Sequence, residues 1–315
     1  MQPAYNSSQR SLFVTTTSAL LERPIGVIGL GNMGLALAGR LANSFSVMGS
    51  DPSVERQSLA AEAGITVAEQ ATLAESCSVI LLSLPRPSIS LAVTRALAAS
   101  ETTPAVVVET STVNPSDITA LVDATQGTGI TVVDSAILSG VKQMTEGTSG
   151  LLLAGERALV ETLDPLFATI TRNRRFVGHS GSAMAAKVLN NAVAHVVMVL
   201  LGEAMALSKT SGLDPQLLVD ILAAPDGGLM RPLTHRMAER AFSGDYEGGM
   251  SLEAARKDST LALAMAQDAG VPVFTIPAAH SVYEMAMAEG FEREDYAALV
   301  KLWERWCDTD FSSRD

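Results

Sequence analysis

Cysteine is almost missing from the chain: Cys77 and Cys307 are the only two among 315 residues. Two cannot build a disulfide framework, neither stands at a metal-ligand spacing, and the usage fits a reduced, cytoplasmic protein with no metal site. Positive charge is short as well, with 22 Lys and Arg against 34 Asp and Glu, a net charge of −12. That deficit argues against nucleic-acid binding, which needs clustered cations for phosphate. No long apolar run is free of polar groups: the best stretch, Ala183–Leu201, is broken by Lys187, Asn190, Asn191 and His195. Each is costly in hydrocarbon, so the stretch reads as a buried helix of a soluble protein rather than a membrane span. Charged residues make up only 18% beside 47% hydrophobic, which excludes global disorder and supplies a large core.

At roughly 150 residues per domain the length suggests two domains. Residues 1–23, rich in Ser, Thr and Gln, read as a flexible extension and not a secretory signal. From 24 to 180, short apolar runs alternate with amphipathic segments of about 10–15 residues, as βαβ units require. The runs Ile25–Ile28, Phe45–Met48, Ile65–Val67, Val79–Leu82, Ala105–Glu109, Ile130–Val133, Leu151–Ala154 and Arg175–Val177 predict strands. Their near-continuous apolar character fits a doubly wound Rossmann α/β domain whose parallel sheet is covered on both faces. After Gly181 the strands stop. Residues 181–212 read as one unbroken helix, with further helices near 214–223, 230–241, 251–269, 276–289 and 294–306, so 181–315 is an all-α domain. Val193, Val196, Val197, Val199, Leu200 and Leu201 point in several directions around the long helix. A second subunit is expected to supply part of its cover, giving a homodimer or homotetramer.

Gly29-Leu30-Gly31-Asn32-Met33-Gly34 follows the first strand and opens a helix. The first glycine permits a tight turn, the second lets backbone approach a pyrophosphate, and the third lets helix pack on strand. Asp51 closes the second strand 22 positions after Gly29. There it can accept hydrogen bonds from an adenosine ribose and repel a 2′-phosphate, so NAD is preferred to NADP. Lys187 and Asn191 lie four apart near the start of the long helix, on one face. A lysine on so apolar a helix is costly unless paired or used, and burial lowers its pKa toward a value suited to proton transfer. The alternative is a snorkelling lysine bonded to a loop carbonyl. His195 has no metal partner at a suitable spacing and reads as a core or interface histidine.

Together, Gly-Leu-Gly-Asn-Met-Gly, Gly178-x-x-Gly181-x-x-x-x-x-Lys187-x-x-Asn190-Asn191 and the later Lys257-Asp258 resemble the β-hydroxyacid dehydrogenase family. Leu84-Pro85 and Glu109-Thr110-Ser111-Thr112 are further pieces of the likeness, which runs from about Pro24 to Trp306. The resemblance implies a nicotinamide-dependent enzyme acting on a small hydroxy acid or its aldehyde form. In it Lys187 would be the general acid/base, Asn191 would hold substrate or lysine, and Lys257 would sit near nicotinamide and substrate. Leu84, Pro85 and the turn at Ser111 and Thr112 would contact the cofactor. The substrate loop would be Ser139-Gly140-Val141, with Ser139 and the Gly140 N–H on the carboxylate. That loop departs from the family's Asp-Ala-Pro-Val-Ser-Gly-Gly, since here it reads Asp134-Ser-Ala-Ile-Leu-Ser139-Gly140-Val141. Aligning Asp134 puts Leu138 at the family serine. Aligning Ser139 there requires one extra residue after Asp134 but brings the downstream Leu-Leu-Leu-Ala-Gly run into register. The second register is preferred, and Val141 then replaces a glycine. Glu109, Lys142, Met144, Arg231 and His235 are further candidate lining residues. Two other functions compete. Imine reductases of this architecture can carry Asp-Gly-Ala-Ile-Met at the same loop, but they place an acid or tyrosine where Lys187 stands. A non-catalytic NAD-binding scaffold would not be expected to keep Lys187, Asn191 and Lys257 together.

Overall fold

In a computed structural model, which describes residues 20–312, the aliphatic runs of the first half form eight strands. These are β1 Ile25–Ile28, β2 Val47–Ser50, β3 Thr66–Val67, β4 Val79–Leu82, β5 Val106–Glu109, β6 Thr131–Ile137, β7 Gly150–Ala154 and β8 Asn173–Gly178. They lie side by side in the order β3-β2-β1-β4-β5-β6-β7-β8. Every pairing is parallel except β6 with β7. Alternation along β4 shows why such strands need cover on both faces: Val79 and Leu81 enter one core, Ile80 and Leu82 the other. The cover comes from α1 Asn32–Leu41, α2 Val54–Glu62, α3 Gln70–Ser76, α4 Pro87–Ala98, α5 Pro115–Ala124, α6 Val141–Glu146, α7 Arg157–Thr162 and α8 Asp164–Ile170. Strand order reverses between β1 and β4, and that switch point opens a crevice beyond the carboxyl ends of the strands.

The long helix α9 spans Ser182–Thr210. Packing divides the chain within it, into a unit ending at Asn191 and a unit beginning at Ala192, eleven residues beyond the start expected at 181. The second unit holds α10 Pro215–Ala223, the π-helix α11 Pro232–Arg240 with a 3₁₀ turn Ala241–Ser243, α12 Leu252–Asp268, α13 Thr275–Ala288, a 3₁₀ turn Tyr296–Leu299 and α14 Val300–Cys307. Its core is Tyr246, Leu252, Ala286, Phe291, Ala297, Ala298 and Leu302.

Three expectations are corrected. The stretch Ala183–Leu201 is not buried within this chain beyond its first turns: Leu189, Val193, Val196, Met198 and Val199 are each more than half exposed, and His195 is exposed too. The reason is that the second unit assembles its core without any residue of α9. The extension is not flexible to residue 23, because Leu20 and Leu21 pack against the core containing Ile25 and Leu41; residues 1–19 of that expected segment lie outside the described residues. The second strand begins at Val47 rather than Phe45, whose side chain packs against the same core from the connection before it.

Candidate active site

The crevice at the switch point is a cavity of about 950 Å³ lined by the glycine loop, Asp51, Arg56, Ser83, Leu84 and Pro85, among others. Gly29 has φ +93°, and a Cβ there would sit 2.2 Å from the Ser83 carbonyl oxygen; one on Gly34 would sit 1.9 Å from the Gly29 oxygen. Both glycines are therefore fixed by internal packing. A Cβ on Gly31 would meet nothing within 4 Å, so its smallness answers no internal contact and leaves room for a ligand to approach the backbone. Helix α1 has neither a side-chain cap nor an acid in its first turn, and its free N–H groups are available to an anion. Asp51 stands at the rim. Its Oδ2 accepts from the Leu30 N–H at 2.7 Å and its Oδ1 from the Ser53 N–H at 2.9 Å. Arg56 donates to the Asn32 Oδ1 at 2.9 Å. These residues fit a dinucleotide.

A second cavity of about 540 Å³ adjoins the first, since Met33, Ser83 and Leu84 line both. Its other walls include Thr110–Thr112 after β5, Ile137–Ser139 at the end of β6, and Lys187, Asn190 and Asn191 on α9. Lys187 is half-buried and makes no hydrogen bond or ion pair among the described residues. Burial holds its ammonium below the ordinary lysine pKa. The Ser139 hydroxyl meets the Ser149 hydroxyl at 2.5 Å. An uncompensated amine, a hydroxyl and an asparagine amide thus share one cavity beside the dinucleotide crevice, an arrangement able to move a proton at an oxygen-bearing substrate.

Of the residues expected in the site, the structure brings together Gly29, Gly31, Asn32, Met33, Gly34, Asp51, Leu84 and Pro85 at the crevice, and Thr112, Ser139, Lys187 and Asn191 at the second cavity. Leu30 is different: its side chain is fully buried in the core and only its N–H reaches Asp51. Gly140 is the cap residue of α6 and lines neither cavity. Val141 lines a separate groove with Leu35, Ala36 and Arg40, and neither of the two cavities. Lys257 belongs to the second unit, where it is exposed on α12 and paired with Asp258 at 3.0 Å. Arg231 and His235 also lie in the second unit, Lys142 is exposed, and Met144 is core.

Two buried carboxylates hold the cavity in shape: Glu109, expected as a lining residue but lining neither cavity, and Asp134, to which the sequence reading gives no role. Glu109 and Asp134 are neighbours across β5 and β6, both with no exposed surface. The Glu109 Oε1 accepts from the Ser111 N–H at 2.7 Å, and the Ser111 hydroxyl in turn accepts from the Leu84 N–H at 2.8 Å. The Asp134 Oδ2 accepts from the N–H groups of Gly181, Ala183 and Met184 at 2.9, 3.0 and 3.3 Å. It thereby pins the start of the helix that carries Lys187. Burial pushes both carboxyls above the usual carboxylate range. The available signal is an acid inside an otherwise aliphatic strand, VVVE and TVVD.

Two family models cover the chain. The NAD-binding domain of 6-phosphogluconate dehydrogenase matches residues 24–181, and the NAD-binding domain of NADP-dependent 3-hydroxyisobutyrate dehydrogenase matches residues 181–303. Among curated relatives, 2-(hydroxymethyl)glutarate dehydrogenase of Eubacterium barkeri is 28% identical over 89% of this chain and 95% of its own length. The mitochondrial 3-hydroxyisobutyrate dehydrogenase of Rattus norvegicus is 27% identical over 91% and 89%. Among solved structures, an imine reductase from Pseudomonas sp. superposes with a TM-score of 0.80 at 21% identity, over 89% of this chain and 99% of that one. That likeness shows the fold.

Proposed function

Since the chain belongs to the β-hydroxyacid dehydrogenase family and is an NAD-dependent oxidoreductase, we propose that it reversibly oxidises a small hydroxy acid with Lys187 as the proton carrier. The observation that carries this reading is Lys187 itself, half-buried in the second cavity without a counter-ion among the described residues. Keeping the amine below its ordinary pKa raises the share of its neutral form, and it is that form that can take the proton of the substrate hydroxyl. In the reverse direction the ammonium form polarises the carbonyl oxygen and returns the proton. Asn191, one helical turn along, holds the same oxygen or the lysine. The Ser139 hydroxyl holds the substrate carboxylate. The glycine loop and the α1 N-terminus would hold the pyrophosphate, and Asp51 the adenosine ribose. NAD, when bound, supplies the hydride acceptor, while the protein contributes orientation and proton transfer.

Lys187→Ala tests this assignment. General acid–base catalysis contributes about 10²–10⁴ in rate, so kcat should fall at least about a hundredfold while NADH binding, held by other residues, changes little. A variant that keeps more than about a tenth of the wild-type kcat would refute the role.

The same reading includes a second copy of the chain on α9. Its middle turns present Leu189, Val193, Val196, Met198 and Val199 to solvent, an apolar surface of the kind soluble monomers rarely leave open. By length and composition alone, α9 could also cross a membrane. Lys187, Asn190, Asn191 and His195 within it favour a protein partner.

A further inference from the structure

Ser149 lies outside both cavities and carries no role in the mechanism above, yet its hydroxyl is 2.5 Å from that of Ser139. It has no exposed surface. The antiparallel pairing of β6 with β7 keeps the two serines adjacent, with the Leu138 N–H donating to the Gly150 carbonyl at 2.8 Å. Behind it, the buried Thr171 hydroxyl donates to the Ser149 carbonyl oxygen at 2.6 Å. The Ser149 backbone is therefore fixed, and its side chain finds one hydrogen-bond partner among the described residues, Ser139.

A hydroxyl has one proton and two lone pairs, and a buried one loses most when its proton finds no acceptor. Ser139 is half-buried on the cavity wall and has water or substrate as further partners, whereas Ser149 has only Ser139. The cheaper arrangement is the one in which Ser149 donates and Ser139 accepts. The proton of Ser139 is then turned into the cavity that contains Lys187. We propose that Ser149 is a positioning residue that makes the Ser139 hydroxyl a dedicated donor to the substrate carboxylate. This rests on the reading of Ser139 given under Proposed function. Because a carboxylate is held alike in ground and transition state, the effect belongs in KM and not in kcat.

The test is a double-mutant cycle of Ser149→Ala and Ser139→Ala with 3-hydroxyisobutyrate, with its methyl ester as the uncharged comparison. Ser149→Ala should raise KM for the acid about fivefold, as for loss of one neutral hydrogen bond, with kcat within about twofold. Ser139→Ala should raise it roughly tenfold or more, as for a bond to a charged group. The double variant should match Ser139→Ala alone, and the ester should be insensitive to Ser149→Ala. Independent, additive effects, or equal effects on acid and ester, would show that Ser149 is merely structural and overturn the inference. An unchanged KM in Ser139→Ala would instead overturn the reading on which it rests. If Ser149→Ala does not fold, Ser149→Cys fills the space with a weaker donor and reports the same coupling. Calorimetric titration of 3-hydroxyisobutyrate, 2-(hydroxymethyl)glutarate and L-threonate into the NADH-loaded protein gives the same ratios where turnover is slow, and absence of binding by all three refutes reading and inference together.

Discussion

Asp51 already accepts two backbone N–H bonds, from Leu30 and Ser53, and its main-chain carbonyl accepts from the Gln57 amide at 2.7 Å. The carboxylate is thus locked at the rim of the crevice, with lone pairs left for ribose hydroxyls. Its charge opposes a 2′-phosphate, and Arg56, which lines the same crevice, is engaged with Asn32. NADH should therefore bind at least roughly tenfold tighter than NADPH, about 1.4 kcal/mol, and Asp51→Ser combined with Pro52→Arg should reverse the order. Competition binding of the two cofactors decides; tighter NADPH binding by the unaltered protein contradicts it. Asp51 was readable in the sequence because its partners are local: a strand end and a glycine loop at fixed separation. What Glu109 and Asp134 hold was not, because it depends on which strands become neighbours and where a helix begins 47 residues later. That Gly140 would cap a short helix starting at Val141, and that Val141 would line a separate groove, was not readable for a related reason: both depend on where that helix begins.

Helix α13 begins at Thr275 with no cap of its own side chains. Glu203, from α9, fills the vacancy: its Oε1 accepts from the Phe274 and Thr275 N–H groups at 2.7 Å each, and its Oε2 from the Ile276 N–H at 3.1 Å. Burial works against the charge, but those N–H groups outweigh it and hold the carboxyl below the usual range. A carboxyl whose folded pKa is depressed stabilises the fold above its unfolded value, near 4.3, and loses that contribution as pH falls through the lower folded value. Glu203→Gln should therefore cost about 1 kcal/mol near neutral pH, and its Tm deficit should shrink as pH drops below about 4. Thermal melts across that range check the sign; a deficit constant with pH would show that the charge is not what matters. Strands were the easiest elements to read, since alternation such as Val79-Ile80-Leu81-Leu82 needs two cores whatever surrounds it. The start and length of α9 were readable from Gly181 and Gly212. Its burial was not, because apolar residues on every face say that cover is needed and not which chain provides it.

If a second copy provides that cover, sedimentation at micromolar concentration should give a species of at least twice the 33.0 kDa of one chain. A single species at the mass of one chain would show that α9 remains uncovered by self-association. Replacing Val196 and Val199 by Asp should push the assembly toward single chains, since charge on an apolar interface is costly. The fold is shared with imine reductases, so turnover and not fold distinguishes the two chemistries. The most direct measurement is the initial rate of NADH formation from NAD with 3-hydroxyisobutyrate, 2-(hydroxymethyl)glutarate and L-threonate, set beside the rate of NADH oxidation with a cyclic imine. A hydroxy acid dehydrogenase that uses Lys187 forms NADH from at least one acid, loses that activity in Lys187→Ala, and reduces no imine. Imine reduction without oxidation of any hydroxy acid would contradict that chemistry.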